Sequence, residues 1–308
     1  MERGILSRGE ERTTGLAQAS AAALVQRRRN VLARTLTIGG HLLALLVLVV
    51  GAVGFVFPLV WMISTSLKSE SEVFAVPPIW IPATIRWDNY PAVFTYFPFW
   101  LYLRNTLLIT VPSVLGTVIS SALPAYGFSR IRWPGRDAVF ALVLATLMIP
   151  GWTTLIPVYV LFARMHWVGT FLPLIVPNFF GSAFFIFLLR QFFLRQPQEL
   201  VDAARIDGAS HLGVFARIIL PLSKPALAVV ALFSFMANWT DFFGPLIFLN
   251  NADLYTLSIG LYSFQSQHQT DWTTLMAASL MVLSPMIILF FFTQRTFVEG
   301  ITFTGLRG

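Results

Sequence analysis

Two clusters of side chains in this sequence have types and spacings that could do chemistry. The first is "QELVDAARIDGASHLGVFARIILPLSKP", Gln198 to Pro225, a charged and glycine-punctuated stretch in a chain with only 11% charged residues. Its chemistry would be mechanical. A short amphipathic segment of this kind either lies along an interface or docks into the groove of another protein. The second cluster is Asn238-Trp239-Thr240-Asp241, an amide, an indole, a hydroxyl and a carboxylate in consecutive positions within an apolar run. Planar hydrogen-bonding groups beside an aromatic face suit a polyhydroxylated solute. They serve equally well as interhelical glue inside a membrane bundle. Asn178 carries the same two readings.

Several other chemistries are excluded. The chain has no cysteine, so it has neither disulfides nor thiolate metal sites. His41, His166, His211 and His268 are scattered without ligand spacing. A phosphate-cradling G-x-x-x-x-G-K-[ST] loop needs Gly before Lys, and the two lysines, Lys68 and Lys224, follow Leu67 and Ser223. This chain is therefore not an ATPase by that route. A membrane-embedded enzyme would need converging acids, and Glu70, Glu72, Asp88, Asp253 and Asp271 show no such spacing. An ion-coupled carrier would need several ionisable groups within the bundle, and Asp241 alone is available.

Membrane-length apolar runs must position both clusters. Hydrophobic residues make up 56% of the chain, and a helix crosses the hydrocarbon with about 20 apolar residues. His41–Ile63, Asn105–Phe128, Ala138–Phe162, Val168–Leu189, Pro225–Leu249 and Leu275–Phe292 qualify, so the expectation is an all-α integral membrane protein with six transmembrane helices. Of the 21 Lys and Arg, all but Lys68, Arg86, Arg104 and Arg164 fall on one side of these spans if both termini are cytoplasmic. The net charge of +7 then orients the chain against anionic lipid and gives no reason to invoke nucleic acid. Residues 1–35 read as a largely disordered cytoplasmic tail, 36–298 as the membrane domain and 299–308 as a cytoplasmic C-terminal tail. Every span holds or begins with proline, which predicts a bundle kinked throughout.

Within the charged stretch, Pro197 and Glu199 predict the start of a short helix. It should stop at Gly208, a residue able to take the left-handed conformation after a helix C-terminus. Ser210 should cap a second helix carrying Leu212, Phe215, Ile218 and Ile219, with Pro221 ending it. The result would be a glycine elbow between two short helices.

Those residues also carry a resemblance. Asp202-Ala203-Ala204, three residues, Gly208, nine residues and then Ile218-Ile219-Leu220-Pro221 resembles the EAA signature of bacterial ABC importer permeases. The one departure is Asp202 for the leading Glu, which keeps the charge and shortens its reach. "NWTDFFGPLIFL", "LYTLSIGLYSF" and "VEGITFTGLRG" are similar to the MalG-like carbohydrate-import permeases, and the likeness spans most of residues 40–308. It implies a type I importer permease in a bacterial or archaeal cytoplasmic membrane, with the loop at 196–222 acting as the coupling helix.

On that resemblance Asp202, Ala203, Ala204, Asp207, Gly208, Leu212 and Phe215 would meet the ATPase. Asn178, Asn238, Trp239 and Asp241 would line the substrate path. Tyr262, Gln265 and Gln267, in a loop that could also be merely solvated, would touch the binding protein. The implied partners are a MalF-like second permease, two MalK-like ATPase subunits and an extracytoplasmic sugar-binding protein. No cofactor would be held by this chain, since ATP and Mg would sit on the ATPase subunits. The terminal Gly305–Gly308 resembles a tail that contacts the ATPase dimer.

Overall fold

The computed structural model describes residues 39–264 and 271–302, with side chains described as far as 294. The expected disordered tail, Gln265, Gln267 and the terminal Gly305–Gly308 lie outside those residues. The structure divides into two compact units, one ending at Trp61 and the other starting at Met62. In the first, the uninterrupted apolar sequence from Gly39 forms helix α1, whose last turns continue to Ser66.

The second unit holds every other described element, and no strand occurs among the described residues. In chain order its helices are α2 (Asn89–Tyr96), α3 (Phe99–Arg130), α4 (Arg136–Ala145), α5 (Gly151–Arg164), α6 (Ala183–Leu194), α7 (Gln198–Ile206) and α8 (His211–Leu222). They are followed by α9 (Lys224–Trp239), α10 (Phe243–Phe248), α11 (Leu257–Tyr262) and α12 (Trp272–Thr302). Among the described residues, four helical stretches are long and apolar enough to cross a membrane, and two bent pairs bring the number to six if each is one span.

The helices break at some prolines and not at others. Between Met148 and Gly151 the path turns by 94°. Ile149 is extended (φ −81°, ψ 114°), as the residue before Pro150 must be. By contrast Pro112 and Pro124 lie inside α3, which remains one 32-residue helix. Pro157 lies inside α5 and Pro285 inside α12. A helix packed along most of its length thus stays continuous past a missing N–H.

Helix α3 is the hub, packed against α6, α9 and the turns at Leu172–Phe179. Its sequence explains why. Thr106, Thr110, Ser113, Gly116, Thr117 and Ser121 recur at three- and four-residue spacing and are buried, whereas Leu108, Val111, Leu115 and Ile119 on the other face are exposed. The small polar stripe ties α3 to the broken backbone preceding α6. The Ser113 hydroxyl donates to Leu174 O at 3.3 Å and the Ser120 hydroxyl to Asn178 O at 3.1 Å, while Ser182 N–H donates to the Ser121 hydroxyl at 3.3 Å. Gly116 allows the approach, since a Cβ there would lie 2.7 Å from the Phe179 ring.

Two buried clusters cap the bundle. Near the end of α3, Tyr126, Leu189, Phe193, Val201, Val214, Phe215, Ile219 and Val230 pack together. Near its start, Val93, Phe97, Phe99, Tyr102, Trp239, Leu257, Phe264 and Val282 do the same.

Candidate functional site

The elbow forms as its residues predict. Pro197 precedes α7, whose first turn carries Glu199. The helix closes with Asp207 N–H to Ala203 O at 3.0 Å and Ala209 N–H to Ala204 O at 2.9 Å. Gly208 then takes φ +83°, a conformation in which a side chain is strained. No atom lies within 4 Å of where a Cβ would stand, so the demand is on the backbone and the space outside is open. Ser210 accepts a hydrogen bond from Gly213 N–H at 3.1 Å and starts α8.

Pro221 stands one residue before the end of α8. The helix continues to Leu222 because Phe215–Ile219 widen into a π turn, with Leu220 N–H donating to Phe215 O. Opening the turn makes room for the proline ring, which would collide with the carbonyl of an ordinary α-turn. The chain bends only at Ser223, by 79°, into α9.

The two faces of the elbow differ in kind. Val201, Val214, Phe215 and Ile219 are buried, with Phe215 against the Tyr126 ring at 5.2 Å. Phe215 is therefore removed from the expected partner-contact set: it holds the elbow to its own bundle. Ala204 is half-buried on the same side. Asp202, Ala203, Asp207 and Gly208 are exposed, and so are Leu212 (70%) and Ile206 (86%). The sequence reading missed Ile206, although its place two residues before the glycine on an otherwise charged helix was the available signal. Asp202 accepts a bond from Gln198 at 3.0 Å.

The Asn238–Asp241 cluster falls where α9 breaks, not half-way along a continuous helix. Trp239 is 2% exposed, donates its indole N–H to Val282 O at 2.9 Å and stacks on Phe235. It packs between α9 and α12, which is the second of the two readings its residue type allowed, and is not open to a solute. Asn178 is likewise consumed, accepting from the Thr117 hydroxyl at 3.3 Å and donating to Leu174 O at 2.8 Å. Asn238, half-buried, donates to Ser234 O at 2.8 Å. Asp241, also half-buried, accepts from Gly244 N–H at 3.1 Å and so caps α10.

Of the aromatic groups left open in this region, sequence reasoning passed over Trp152 and Phe243 and named Tyr262 only for contact with the binding protein. Trp152 (70% exposed) meets Phe243 (41%) edge-on at 4.9 Å. Tyr262 (54%) lies 5.4 Å from Phe242.

At the same end, α3 and α2 hold the chain on either side of α11. Asn105 donates to Asp253 O and Tyr255 O, and Leu257 N–H donates to the Thr106 hydroxyl. Tyr96 donates to Asp271 at 2.7 Å, and that bond, with burial second, pushes its hydroxyl up to about 12. Burial alone would raise the Asp271 carboxyl. Bonds from Thr274, Tyr96 and Thr273 outweigh it and hold that carboxyl below its usual range.

With this geometry in place, comparison with known proteins is direct. Residues 113–302 match the family described as "Binding-protein-dependent transport system inner membrane component". The arabinooligosaccharides transport system permease protein AraQ of Halalkalibacterium halodurans is 34% identical over 256 residues, 82% of this chain and 91% of that protein. The sn-glycerol-3-phosphate transport system permease protein UgpE of Escherichia coli is 32% identical over 86% of this chain and 96% of its own length. A chain in the crystal structure of a bacterial ABC transporter importing the acidic polysaccharide alginate superposes with a TM-score of 0.73 at 23% identity, over 82% of this chain and 95% of that one. A hub helix zipped to its neighbours, a glycine elbow carrying the permease signature and relatives aligned along most of their length agree. This chain belongs to the binding-protein-dependent transport system inner membrane components and is a multi-pass ABC transporter permease of the cytoplasmic membrane, not itself an enzyme.

Proposed function

We propose that this permease forms half of the translocation path for a di- or oligosaccharide handed over by an extracytoplasmic binding protein. In this reading the α7–Gly208–α8 elbow is the cytoplasmic surface through which a separate ATPase moves it. The observation that carries the reading is the two-faced elbow: Ile206 and Leu212 stand bare on either side of Gly208, while Phe215, Val214 and Ile219 lock the opposite face into the bundle. An apolar pair on a rigid base suits a protein groove better than water. The Lys and Arg distribution supports a cytoplasmic elbow.

In this mechanism, ATP and Mg bound on two partner ATPase subunits close those subunits on each other. The exposed row Asp202, Ala203, Asp207, Gly208 and Leu212 is carried along, and the buried row passes the displacement to α3, α6 and α9. A second permease completes the path. The solute class rests on the relatives, one named for arabinooligosaccharides, one for sn-glycerol-3-phosphate and one structure for alginate. A related structure holds a periplasmic protein loaded with alginate pentasaccharide. Trp152, Phe243 and Tyr262, exposed near the α9 break, are the aromatic faces best suited to sugar rings, and Tyr262 remains the described candidate for contact with the binding protein.

The chain lacks cysteine, so a single Leu212→Cys in the assembled complex reports its neighbours without background. Crosslinking to a nucleotide-hydrolysing subunit is expected. Crosslinking to lipid reagents alone would overturn the coupling assignment. Calorimetry of saccharides on the cognate binding protein tests the solute class.

A further inference from the structure

The elbow is tied to the bundle at both of its ends, and one cation makes most of the ties. Arg130, the last residue of α3, donates to Phe193 O, to Gln196 O at 2.6 Å and to the Gln198 side-chain carbonyl at 2.6 Å. The first is a carbonyl in the last turn of α6 and the second lies two residues beyond that helix, in the link to α7. The third belongs to the first residue of α7. Gln198 in turn donates to Asp202 at 3.0 Å, on the exposed row of the elbow. At the exit, Gln196 donates to the Ser223 hydroxyl at 2.6 Å, and Ser223 donates to Ile219 O at 2.6 Å at the 79° bend into α9.

A guanidinium is suited to this because its planar fork donates several bonds in fixed directions, which an ammonium cannot reproduce. Its neighbour Gln196 reaches the opposite end of the loop, so entry and exit are braced through adjacent groups. The Arg130 and Gln196 side chains are both drawn into the interior here, with Arg130 Nε and Gln196 Oε1 buried.

We infer that Arg130 is a positioning residue for coupling: it makes the elbow and the ends of α3, α6 and α9 move as one piece, so that a pull on the exposed face reaches the translocation path. The inference rests on the proposed ATPase contact, but it concerns transmission and not docking. An Arg130→Gln complex, with its partner subunits and loaded binding protein, should assemble and hydrolyse ATP. Uptake per ATP should fall by about tenfold or more, corresponding to an allosteric coupling within the usual range. Arg130→Lys should recover part of that loss, because it keeps the charge without the fork.

Spin labels at Val139→Cys and Ala216→Cys, on α4 and the exposed side of α8, should give a narrow distance distribution in the wild-type background and a broad one in Arg130→Gln. Gln196→Met, which removes only the exit tie, should broaden it less and remains informative if Arg130→Gln fails to assemble. Unchanged uptake per ATP, or an unchanged distribution in both variants, overturns the inference. If Leu212→Asp leaves uptake intact, the docking assignment fails whatever Arg130 does. If Leu212→Asp abolishes uptake while Arg130→Gln couples normally, the positioning role alone fails.

Discussion

The chain breaks its helical path at Gly208 and again after Trp239, and the two breaks treat their polar and apolar groups in opposite ways. At the elbow the backbone is capped internally, and the side chains at the apex are left bare, with Ile206 at 86% and Leu212 at 70% exposure. After Trp239 the side chains are spent on the chain itself. Trp239 bonds Val282 O, Asn238 bonds Ser234 O and Asp241 caps α10. The residue types point the other way, since the elbow is charged and small while the second break displays the groups that usually recognise solutes. Burial, not residue type, separates a surface kept for a partner from one that only holds the fold.

The sharpest way to break this comparison is at Trp239. If the indole is packing, Trp239→Ala should lower the stability of the solubilised subunit by about 3–5 kcal/mol, seen as a lower unfolding midpoint. A well-folded Trp239→Ala permease with altered solute preference would return the residue to the path.

Next comes Leu212→Asp, which places a charge where a partner's groove is expected. A contact at the centre of such an interface is worth about 2 kcal/mol or more, so the ATPase should be lost on affinity purification of the complex while the subunit itself stays folded. Gly208→Val should strain the elbow by about 1–2 kcal/mol through its left-handed backbone, and Gly208→Asn, which tolerates that conformation, should be milder. Equal uptake by both variants would show that backbone strain does not matter there.

Asn178→Ala removes one interhelical bond, from Thr117, of a kind that averages about 0.6 kcal/mol in membrane bundles, and one bond to Leu174 O within its own segment. A small loss of thermal stability with unchanged transport is expected. The smallest effect is at Tyr96. Its hydroxyl stands above the ordinary 10.0, at about 12, chiefly through its bond to Asp271. The sign follows: the contribution is complete below pH 10 and disappears as pH rises through about 12. Phenolate absorbance titration should lose its highest step in Tyr96→Phe and shift downward in Asp271→Asn.

The comparison also shows which features could be read from one dimension. The cap at Ser210, the stop at Gly208 and the lengths of the apolar runs are local properties, and each was legible because its cause lies within a few residues. The π turn that precedes Pro221 was not, because it buries Phe215 and Ile219 in a core drawn from α3 and α6. Likewise α3 stays one helix past Pro112 and Pro124 while serine and threonine zip it to partners far along the chain.

The sequence by itself determined that this is a membrane-spanning helical chain with a capped, glycine-hinged loop and no phosphate-cradling loop of its own, because hydropathy, capping and motif spacing act over short stretches. Only the tertiary structure decided which face of that loop is bare, that Trp239 and Asn178 bond within the fold, and that Arg130 and Gln196 tie the two ends of the elbow. Those outcomes depend on which distant groups reach each side chain first, and a buried hydrogen bond made within the fold leaves nothing to offer a ligand.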